Sequence, residues 1–353
     1  MKQRGVWVTL TTVLLLLLGL SGDSTFSCFD RYQHSGFVAA GLELNSNLET
    51  IEVEPGRIAM ERTLQQPQSS VLSNSSSMLS NESNVLAGTL EVDMTGLDGN
   101  MDEPLLLTLL TFNIRSANDK NGSIKLEEIV EEIRETDAHI IGLQEVERMM
   151  PRSGYRDQAR LVAEELGYHY YYGGNINIFG VQYGNALLSK YPILAANNHK
   201  LPKEKLEPRG MIEADIDADG SLLHVFVTHL GLSSLERSKQ VRYINGILSQ
   251  RKGNILLLGD FNNHPDSEEM STLDDRLTDS AAALNQLDQF TFAWKSTTPN
   301  VRLDRIYASD NITLKHHRVQ PSAVSDHMLV LTQILVNIMP EEGIQQEVTN
   351  RDR

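Results

Sequence analysis

Short apolar runs, each followed by a polar side chain, recur along the C-terminal two-thirds of the chain. Short apolar runs bounded by polar residues are typical of buried strands. A polar residue at the end of a buried strand is held rigidly and still reaches solvent, which suits a metal or phosphate site. The runs, each with the polar residues that follow it, are Leu105–Phe112 with Asn113, Ala138–Gln144 with Glu145, Leu222–Thr228 with His229, Ile255–Gly259 with Asp260 and Asn262, Val301–Leu303 with Asp304, and the segment after Pro321 with Asp326 and His327.

Helical periodicity appears between these runs. Leu126, Ile129, Val130 and Ile133 recur at helical spacing among acidic residues, which predicts an amphipathic helix before the Glu145 strand. Residues 157–166 and 234–249 show the same pattern. Strands that alternate with helices predict an α/β fold, and periodicity alone predicts nothing finer.

The polar residues at the strand ends share one kind of chemistry. A single Asn, Asp or His after an apolar run is usually a turn former or a helix cap. The whole set, however, offers carboxylate, amide and imidazole groups and no cysteine. Such oxygen-rich sets suit Mg²⁺, Mn²⁺ or Ca²⁺ better than zinc. Hydrolysis of a phosphoester needs a cation to offset the phosphate charge, a base for water and donors for the transition-state oxygens.

The motifs around these residues, taken in order, resemble those of the endonuclease/exonuclease/phosphatase superfamily. The resemblance extends from about Leu105 to Val336. It implies a four-layer sandwich of two packed mixed β-sheets flanked by helices. The motifs are Thr111–Ile114, Gly142–Val146, Gly184–Ser189, Thr228–Leu230, Gly259–Asn262, Leu303–Ile306 and Ser325–His327.

The resemblance also implies a metal site. Glu145 is expected to be the principal ligand of Mg²⁺, with Mn²⁺ as the alternative ion, and Asn113 and Asp326 are expected close to the metal. Asp260 would orient and deprotonate the attacking water, and Asn262 would donate to the phosphoryl oxygens.

Further roles follow from the same resemblance. Asp304 and His327 would form a carboxylate–imidazole pair that favours the imidazolium. His229 would contact the phosphate or assist the leaving oxygen. The predicted substrate-binding residues leave alternatives open: besides Asn185, Tyr183 either lines the cleft or packs, and Arg209 either binds phosphate or forms a surface ion pair.

Charge limits the substrate class. The 353 residues carry a formal net charge of -16. Proteins that grip nucleic-acid backbones usually present a basic face, because counterion release drives that binding. The acidic composition therefore disfavours the nuclease reading, although an acidic chain can contain a basic cleft.

The N-terminal sequence indicates export. Lys2 and Arg4 precede an apolar stretch, Val6–Leu20, with small residues after it. This pattern predicts a signal peptide or an uncleaved anchor over residues 1–22. Residues 23–103 are expected to form a flexible, low-complexity segment, 104–337 the catalytic domain and 338–353 a polar tail. Cys28 is the only cysteine, so no intrachain disulfide forms.

The sequence thus predicts a secreted or surface-tethered, Mg²⁺-dependent phosphoester hydrolase. Export and acidity favour a phosphodiesterase acting on a lipid-like or small phosphorylated substrate. The alternatives are an extracellular nuclease and a noncatalytic binding module of the same fold. We expect a monomer with no obligate protein partner.

Overall fold

The computed structural model describes residues 103–204, 207–263 and 268–337. The predictions for the signal peptide or anchor, for nearly all of the 23–103 segment and for the 338–353 tail lie outside these residues. Within them, no helix is both long enough and apolar enough to cross a bilayer.

Two six-stranded sheets form the centre of the fold. The first sheet, in spatial order, contains β11 (Thr313–Gln320), β12 (Leu329–Val336), β1 (Leu105–Asn113), β2 (Ile140–Arg148), β4 (Val181–Ser189) and β3 (His169–Ile178). The second contains β5 (Ile193–Lys200), β6 (Gly210–Ala218), β7 (Ser221–His229), β8 (Asn254–Asp260), β10 (Asp304–Ala308) and β9 (Thr278–Asp279).

Each sheet has a parallel pair of strands at its middle. In the first sheet β1 runs parallel to β2, and in the second β7 runs parallel to β8, whereas the other pairs are antiparallel. The carboxyl ends of parallel neighbours lie at the same edge of a sheet. Asn113 therefore ends beside β2, and His229 lies level with Asp260.

Helices cover the outer faces of both sheets. They are α1 (Leu126–Arg134), α2 (Gln158–Leu166), α3 (Ser234–Leu248) and the short α4 (Ser271–Asp274) and α5 (Ser280–Ala283). One apolar cluster fills the space between the sheets, a second lies between the first sheet and α1 and α2, and a third joins the second sheet to α3 and α4. Strands buried on both faces read as nearly continuous apolar runs, as in β1. The predicted four-layer α/β sandwich is confirmed.

Two predicted strand ends are wrong. Residues 301–303 contain no strand beyond an isolated bridge at Val301, and Asp304 begins β10. Asp326 and His327 likewise lie in the turn that precedes β12. Both strands run antiparallel to a central neighbour, β10 to β8 and β12 to β1, so their first residues lie where the carboxyl ends of their neighbours lie. The sequence pattern identified the residues but assigned them to the wrong ends of strands.

Glu145 also differs from the prediction, because β2 does not end there. The strand continues to Arg148, and its pairing with β4 is irregular between Leu143 and Val146. Glu145 lies in this irregularity with φ 57°, a left-handed conformation that is uncommon outside glycine. Irregularities of this kind re-aim side chains beside functional sites.

The three predicted helices are present, but several strands were not predicted from the apolar runs. They are β3, β4, β5, β6, β9 and β11. Polar residues alternate with apolar ones along β5 and β11, which lie at sheet edges and expose many side chains. Neither strand therefore appears as a continuous apolar run.

Candidate active site

The predicted site residues meet at the edge where β1 and β2 of the first sheet face β7 and β8 of the second. Asn113 makes the link between the sheets, because its Nδ2 donates to Oε1 of Glu145 and to Oδ2 of Asp260, each at 3.1 Å. Its backbone carbonyl accepts from Oγ of Ser325 at 2.7 Å, which draws in the turn before β12. Residues far apart in sequence are thus held in one hydrogen-bonded group.

Asp260 lies at the centre of this group and is buried. Its Oδ1 accepts from the backbone N–H of Asn262 at 2.9 Å, and its Oδ2 lies 3.4 Å from Nε2 of His229 and 3.7 Å from Nε2 of His327. Burial and the neighbouring carboxylate of Asp304 raise the pKa of Asp260. A carboxylate with a raised pKa is a better proton acceptor than a free one, as a general base for water requires.

Local backbone conformation explains the Gly259–Asn262 motif. A side chain on Gly259 would place its Cβ 2.2 Å from the carbonyl oxygen of Thr228, so only glycine fits between β7 and β8. Asn262 has φ 48°, again left-handed, a conformation that Asn tolerates better than most residues. Strained backbone of this kind clusters at functional sites.

Asp304 and His327 form the predicted carboxylate–imidazole pair. Nδ1 of His327 donates to Oδ2 of Asp304 at 2.9 Å. Burial opposes a charge on His327, but the carboxylates of Asp304 and Asp260 outweigh it and raise the pKa of His327 to about 10. The ring lies 4.6 Å from that of Phe292, and Oγ1 of Thr291 accepts from the backbone N–H of Asp304 at 3.1 Å. His327 is thus a buried imidazolium at neutral pH.

His229 is in the opposite state. Burial and the positive charges of Arg209 and His327 lower its pKa well below the usual value. Nη1 of Arg209 lies 3.1 Å from Nδ1 of His229. A guanidinium only donates, so Nδ1 accepts and the proton of the neutral ring lies on Nε2. Nδ2 of Asn262 lies 2.9 Å from that Nε2, so two donors converge at this point.

Arg209 does not form the surface ion pair that the sequence left open. It pairs with Glu207 at 2.9 Å, but its side chain is only 7% exposed and the pair lies inside the site. Burial raises the pKa of Glu207, with the charge of Glu145 adding to the effect. The β6 strand begins directly after Arg209 and fixes it beside His229.

The remaining predicted substrate residues are buried at the same edge. Asn185 of β4 donates to the carbonyl of Gly210 at 3.1 Å and so joins the two sheets. Tyr183 lies close enough to Glu145 for that charge to add to the effect of burial in raising the tyrosine pKa. Contact of either side chain with a substrate stays a prediction.

Glu145 and Asp326 supply carboxylates for a cation. Burial, with the charge of Asp326 adding to the effect, raises the pKa of Glu145. Asp326 pairs with Nε of Arg115 at 3.4 Å and is half exposed. Hard oxygen donors at an accessible edge fit Mg²⁺ or Mn²⁺. Glu145 and Asp326 would hold the ion, with Asn113 beside it; Nδ2 of Asn113 faces Glu145, and its Oδ1 accepts from the backbone N–H of Arg115 at 3.0 Å.

A second cluster also has metal-ligand composition. Ligand atoms of Asp260, Asp304 and His327 lie within 4.8 Å of one another. An imidazolium has no free lone pair, however, and His327 is held in that form by the two carboxylates. A cation at Glu145, with the second cluster handling protons and charge, stays a prediction.

Some residues of the site were missed in the sequence. Arg115 follows Asn113 in a short 3-10 turn, Arg115–Ala117, whose residues all have left-handed φ. Arg152 pairs with the fully buried Glu147. The position of Arg115 directly after the Thr111–Ile114 motif was the only signal for it; Arg152 and Thr291 lie outside every motif.

Comparison with known proteins identifies the family. A model described as Endonuclease/Exonuclease/phosphatase family matches residues 110–327. The chain belongs to this family, whose members are phosphoesterases and nucleases that generally depend on a divalent metal.

Two curated relatives match parts of the chain. Protein cwh43 of Schizosaccharomyces pombe is 31% identical over 129 residues, which are 36% of this chain and 13% of cwh43. The chain thus spans a small part of that relative. YbhP of Escherichia coli, described as uncharacterized, is 28% identical over 224 residues, which are 57% of this chain and 84% of YbhP.

Solved structures show the same fold. An endonuclease/exonuclease/phosphatase from Beutenbergia cavernae has a TM-score of 0.54 at 23% identity, covering 65% of this chain and 72% of that one. The mannosyl-6-phosphatase Bt3783 of Bacteroides thetaiotaomicron gives 0.52 at 17%, covering 65% and 99%. The human Nocturnin catalytic domain gives 0.51 at 20%, covering 66% and 93%. At such identities the likeness concerns the fold alone.

Proposed function

We propose that the chain is a Mg²⁺-dependent phosphodiesterase that uses an activated water and acts on a lipid-like or small phosphorylated substrate. The observation that carries this proposal is the arrangement around Asp260. Its buried carboxylate lies 3.4 Å from Nε2 of His229, and the amide of Asn262 lies 2.9 Å from the same nitrogen. A proton acceptor therefore lies beside two converging donors.

This arrangement suits in-line attack on phosphorus. Asp260 would accept a proton from the water whose oxygen forms the new bond to phosphorus. Nε2 of His229 and Nδ2 of Asn262 would both donate to one phosphoryl oxygen. The two donors lie close together and repel each other, and a shared acceptor would offset that repulsion. Such donors are most effective where negative charge develops in a site that excludes water.

The other charged groups support the same reaction. An ion held by Glu145 and Asp326, with Asn113 beside it, would offset phosphate charge and lower the barrier to attack. His327, kept cationic by Asp304, lies 3.7 Å from Asp260 and favours negative charge on the phosphoryl group. The bond to the leaving oxygen breaks as the bond to water forms, and the leaving oxygen keeps the electron pair and takes a proton from solvent. The reaction therefore needs no covalent enzyme intermediate.

Charge and the N-terminal sequence support the choice of substrate. A net charge of -16 disfavours a nucleic-acid polyanion, and the apolar stretch Val6–Leu20 favours export or tethering at the cell surface. We include in the proposal that the chain acts as a monomer. Cell fractionation and sequencing of the mature N-terminus test the location, and light scattering after gel filtration tests the monomer.

The activity is tested on the purified full chain with Mg²⁺ or with EDTA. Substrates are phospholipids, sphingomyelin, inositol phosphates, mannose 6-phosphate, plasmid DNA and RNA; the sugar phosphate is included because one structural neighbour is a mannosyl-6-phosphatase. We expect Mg²⁺-dependent cleavage of a lipid or small phosphodiester, abolished in Asp260→Asn. Cleavage confined to DNA or RNA would establish the nuclease instead. Silence across the panel from a folded protein would favour the noncatalytic binding module.

A further inference from the structure

Three large side chains are exposed although each occupies a left-handed backbone position. Met149 and Tyr155 both have φ 58°, and Phe179 has φ 51°. Their exposed fractions are 46%, 62% and 103%. We call Met149, Tyr155 and Phe179 the apolar rim. Among the non-glycine residues with positive φ in the described part of the chain, these have the largest apolar side chains.

The local conformation of the apolar rim favours other residues. Phe179 and Gly180, with φ 51° and 85°, form the two-residue turn between β3 and β4. Turns with positive φ at both positions are usually Asn-Gly, Asp-Gly or Gly-Gly. An exposed Phe gains no packing that would offset this conformational cost. An unfavourable residue that contributes nothing to its own fold is expected to serve a contact outside it.

Strand register places the apolar rim at the catalytic edge. Val146 pairs with Gly184, and Arg148 with Gln182, so the β3–β4 turn lies beyond the Glu145 irregularity by roughly 15 Å. The loop after β2 projects at the same edge. It is closed by the hydrogen bond from Met149 N–H to the carbonyl of Arg156 at 2.9 Å, and Tyr155 N–H donates to the carbonyl of Met150 at 2.8 Å.

Both projecting turns are electrically balanced. Residues 169–189 contain no Asp, Glu, Lys or Arg. In the loop after β2, Arg156 pairs with Glu127 at 2.6 Å and Arg152 with Glu147, and at its base Arg148 pairs with Asp157 at 2.8 Å. The rim thus presents apolar side chains without uncompensated cations. It is not suited to a polyanion, which requires basic contacts.

We propose that the apolar rim inserts into an electrically neutral lipid surface and holds the catalytic edge against it. Side chains at the tips of two narrow turns give little area for a protein partner, whose interface usually buries about 800 Å² on each side. A fluid lipid surface accommodates separate apolar tips, and Tyr and Phe favour its boundary with water. The proposal rests on the proposed function only in naming where its lipid substrate would lie.

Insertion is measured first without catalysis. The full chain with Cys28→Ser and Phe179→Cys carries an environment-sensitive fluorophore on its single thiol, and a matched chain carries it through Cys28→Ser and Leu194→Cys. Leu194 is 50% exposed and lies near the end of β5 that pairs with Ile216, remote from Arg209. In EDTA, phosphatidylcholine vesicles are expected to shift emission at position 179 to shorter wavelength and leave position 194 unchanged.

The unlabelled chain is then changed to Asn at all three rim positions, since Asn suits left-handed backbone. We expect an unchanged or higher melting temperature, unchanged hydrolysis of a soluble phosphodiester, and about tenfold or greater loss of hydrolysis of vesicle lipid. Leu194→Asn is the control and should change none of these.

Three results would overturn the proposal. They are no shift at position 179, equal shifts at positions 179 and 194, and a shift at 179 with single-stranded DNA but not with vesicles. A chain that inserts into vesicles in EDTA but hydrolyses no substrate would contradict the proposed function and still support the role of the apolar rim.

Discussion

Oδ2 of Asp304 accepts a hydrogen bond of 2.9 Å from Nδ1 of His327, and both side chains are buried. The other oxygen of Asp304 is buried and has no hydrogen-bond partner among the residues that the structure describes. The carboxylate therefore acts mainly on the imidazole, fixing its orientation and keeping it charged. Because β10 pairs antiparallel to β8, Asp304, the first residue of β10, lies directly opposite Asp260, the last residue of β8.

In Asp304→Asn, His327 is expected to lose its positive charge at a lower pH than in the wild type. The pKa of His327 is raised to about 10, so the cation is present at neutral pH and is lost as pH rises through that value. Without the carboxylate, burial disfavours the cation, and the alkaline limb of the pH–rate profile moves down by about two pH units. From this loss of the cation we expect kcat to fall about twofold at pH 8 and on the order of 10²-fold above pH 10. The exposed Asp310→Asn is the control, and a profile identical to wild type would contradict the role.

Asp260→Asn is expected to lower the rate of hydrolysis without lowering the stability of the fold. A carboxyl with a raised folded-state pKa destabilises the protein at neutral pH, so its neutral isostere should leave the free energy of unfolding unchanged or increase it. The rate should fall on the order of 10³-fold or more, since the proton acceptor is gone. Denaturant unfolding in EDTA measures the free energy of unfolding, and turnover with Mg²⁺ measures the rate. A loss of stability above about 2 kcal/mol would instead make Asp260 a structural group.

Glu145→Gln should affect metal binding in particular. The substitution removes the repulsion between the Glu145 and Asp326 carboxylates together with the charge that would attract the ion. We expect the Mg²⁺ concentration for half-maximal activity to rise tenfold or more. Mg²⁺ should also raise the melting temperature of this variant less than that of the wild type, and this measurement reports metal binding independently of catalysis. Glu128→Gln, on the exposed side of α1, should leave both titrations unchanged.

Arg209→Lys distinguishes positioning from phosphate binding. The guanidinium contacts both Glu207 and His229, which a single ammonium cannot reproduce in the same geometry. If Arg209 fixes the tautomer of His229, kcat should fall on the order of 10²-fold with little change in KM. A raised KM at constant kcat would assign Arg209 to the substrate phosphate instead.

His317, outside the site, should make stability depend on pH. Burial lowers its pKa to about 4, and its Nδ1 lies 3.0 Å from Oγ of Ser280. Between about pH 6.5 and 4 the imidazole of His317 therefore binds a proton in the unfolded chain but not in the folded chain. The free energy of unfolding therefore falls as pH drops from 6.5 to 4. At pH 5 the loss is about 2 kcal/mol. His317→Gln should flatten this dependence, and the exposed neighbour His316→Gln should retain it.

Periodicity in the sequence determined the α/β class, and the family motifs in the sequence implied the four layers and most of the chemistry of the site. Strands buried on both faces, such as β1 and β7, and the amphipathic α1 produce periodicities that depend on local burial alone. Asp260 and Asn262 were identifiable because they follow an apolar run and belong to a family motif. The close strand approach at Gly259 and the left-handed φ of Asn262 explain why these residue types occur there.

Tertiary structure alone decided how those groups act. Antiparallel pairing, which no local pattern encodes, brought Asp304 and His327 to the site from strand starts. For Arg209 the sequence left open phosphate binding or a surface ion pair, and burial placed the guanidinium against His229, where it sets the position of the imidazole proton. The protonation states of His229 and His327 diverge for the same reason, since each depends on charges contributed by distant parts of the chain. Local sequence limits which residues are available, whereas their pKa values and partners depend on neighbours that only the folded chain brings together.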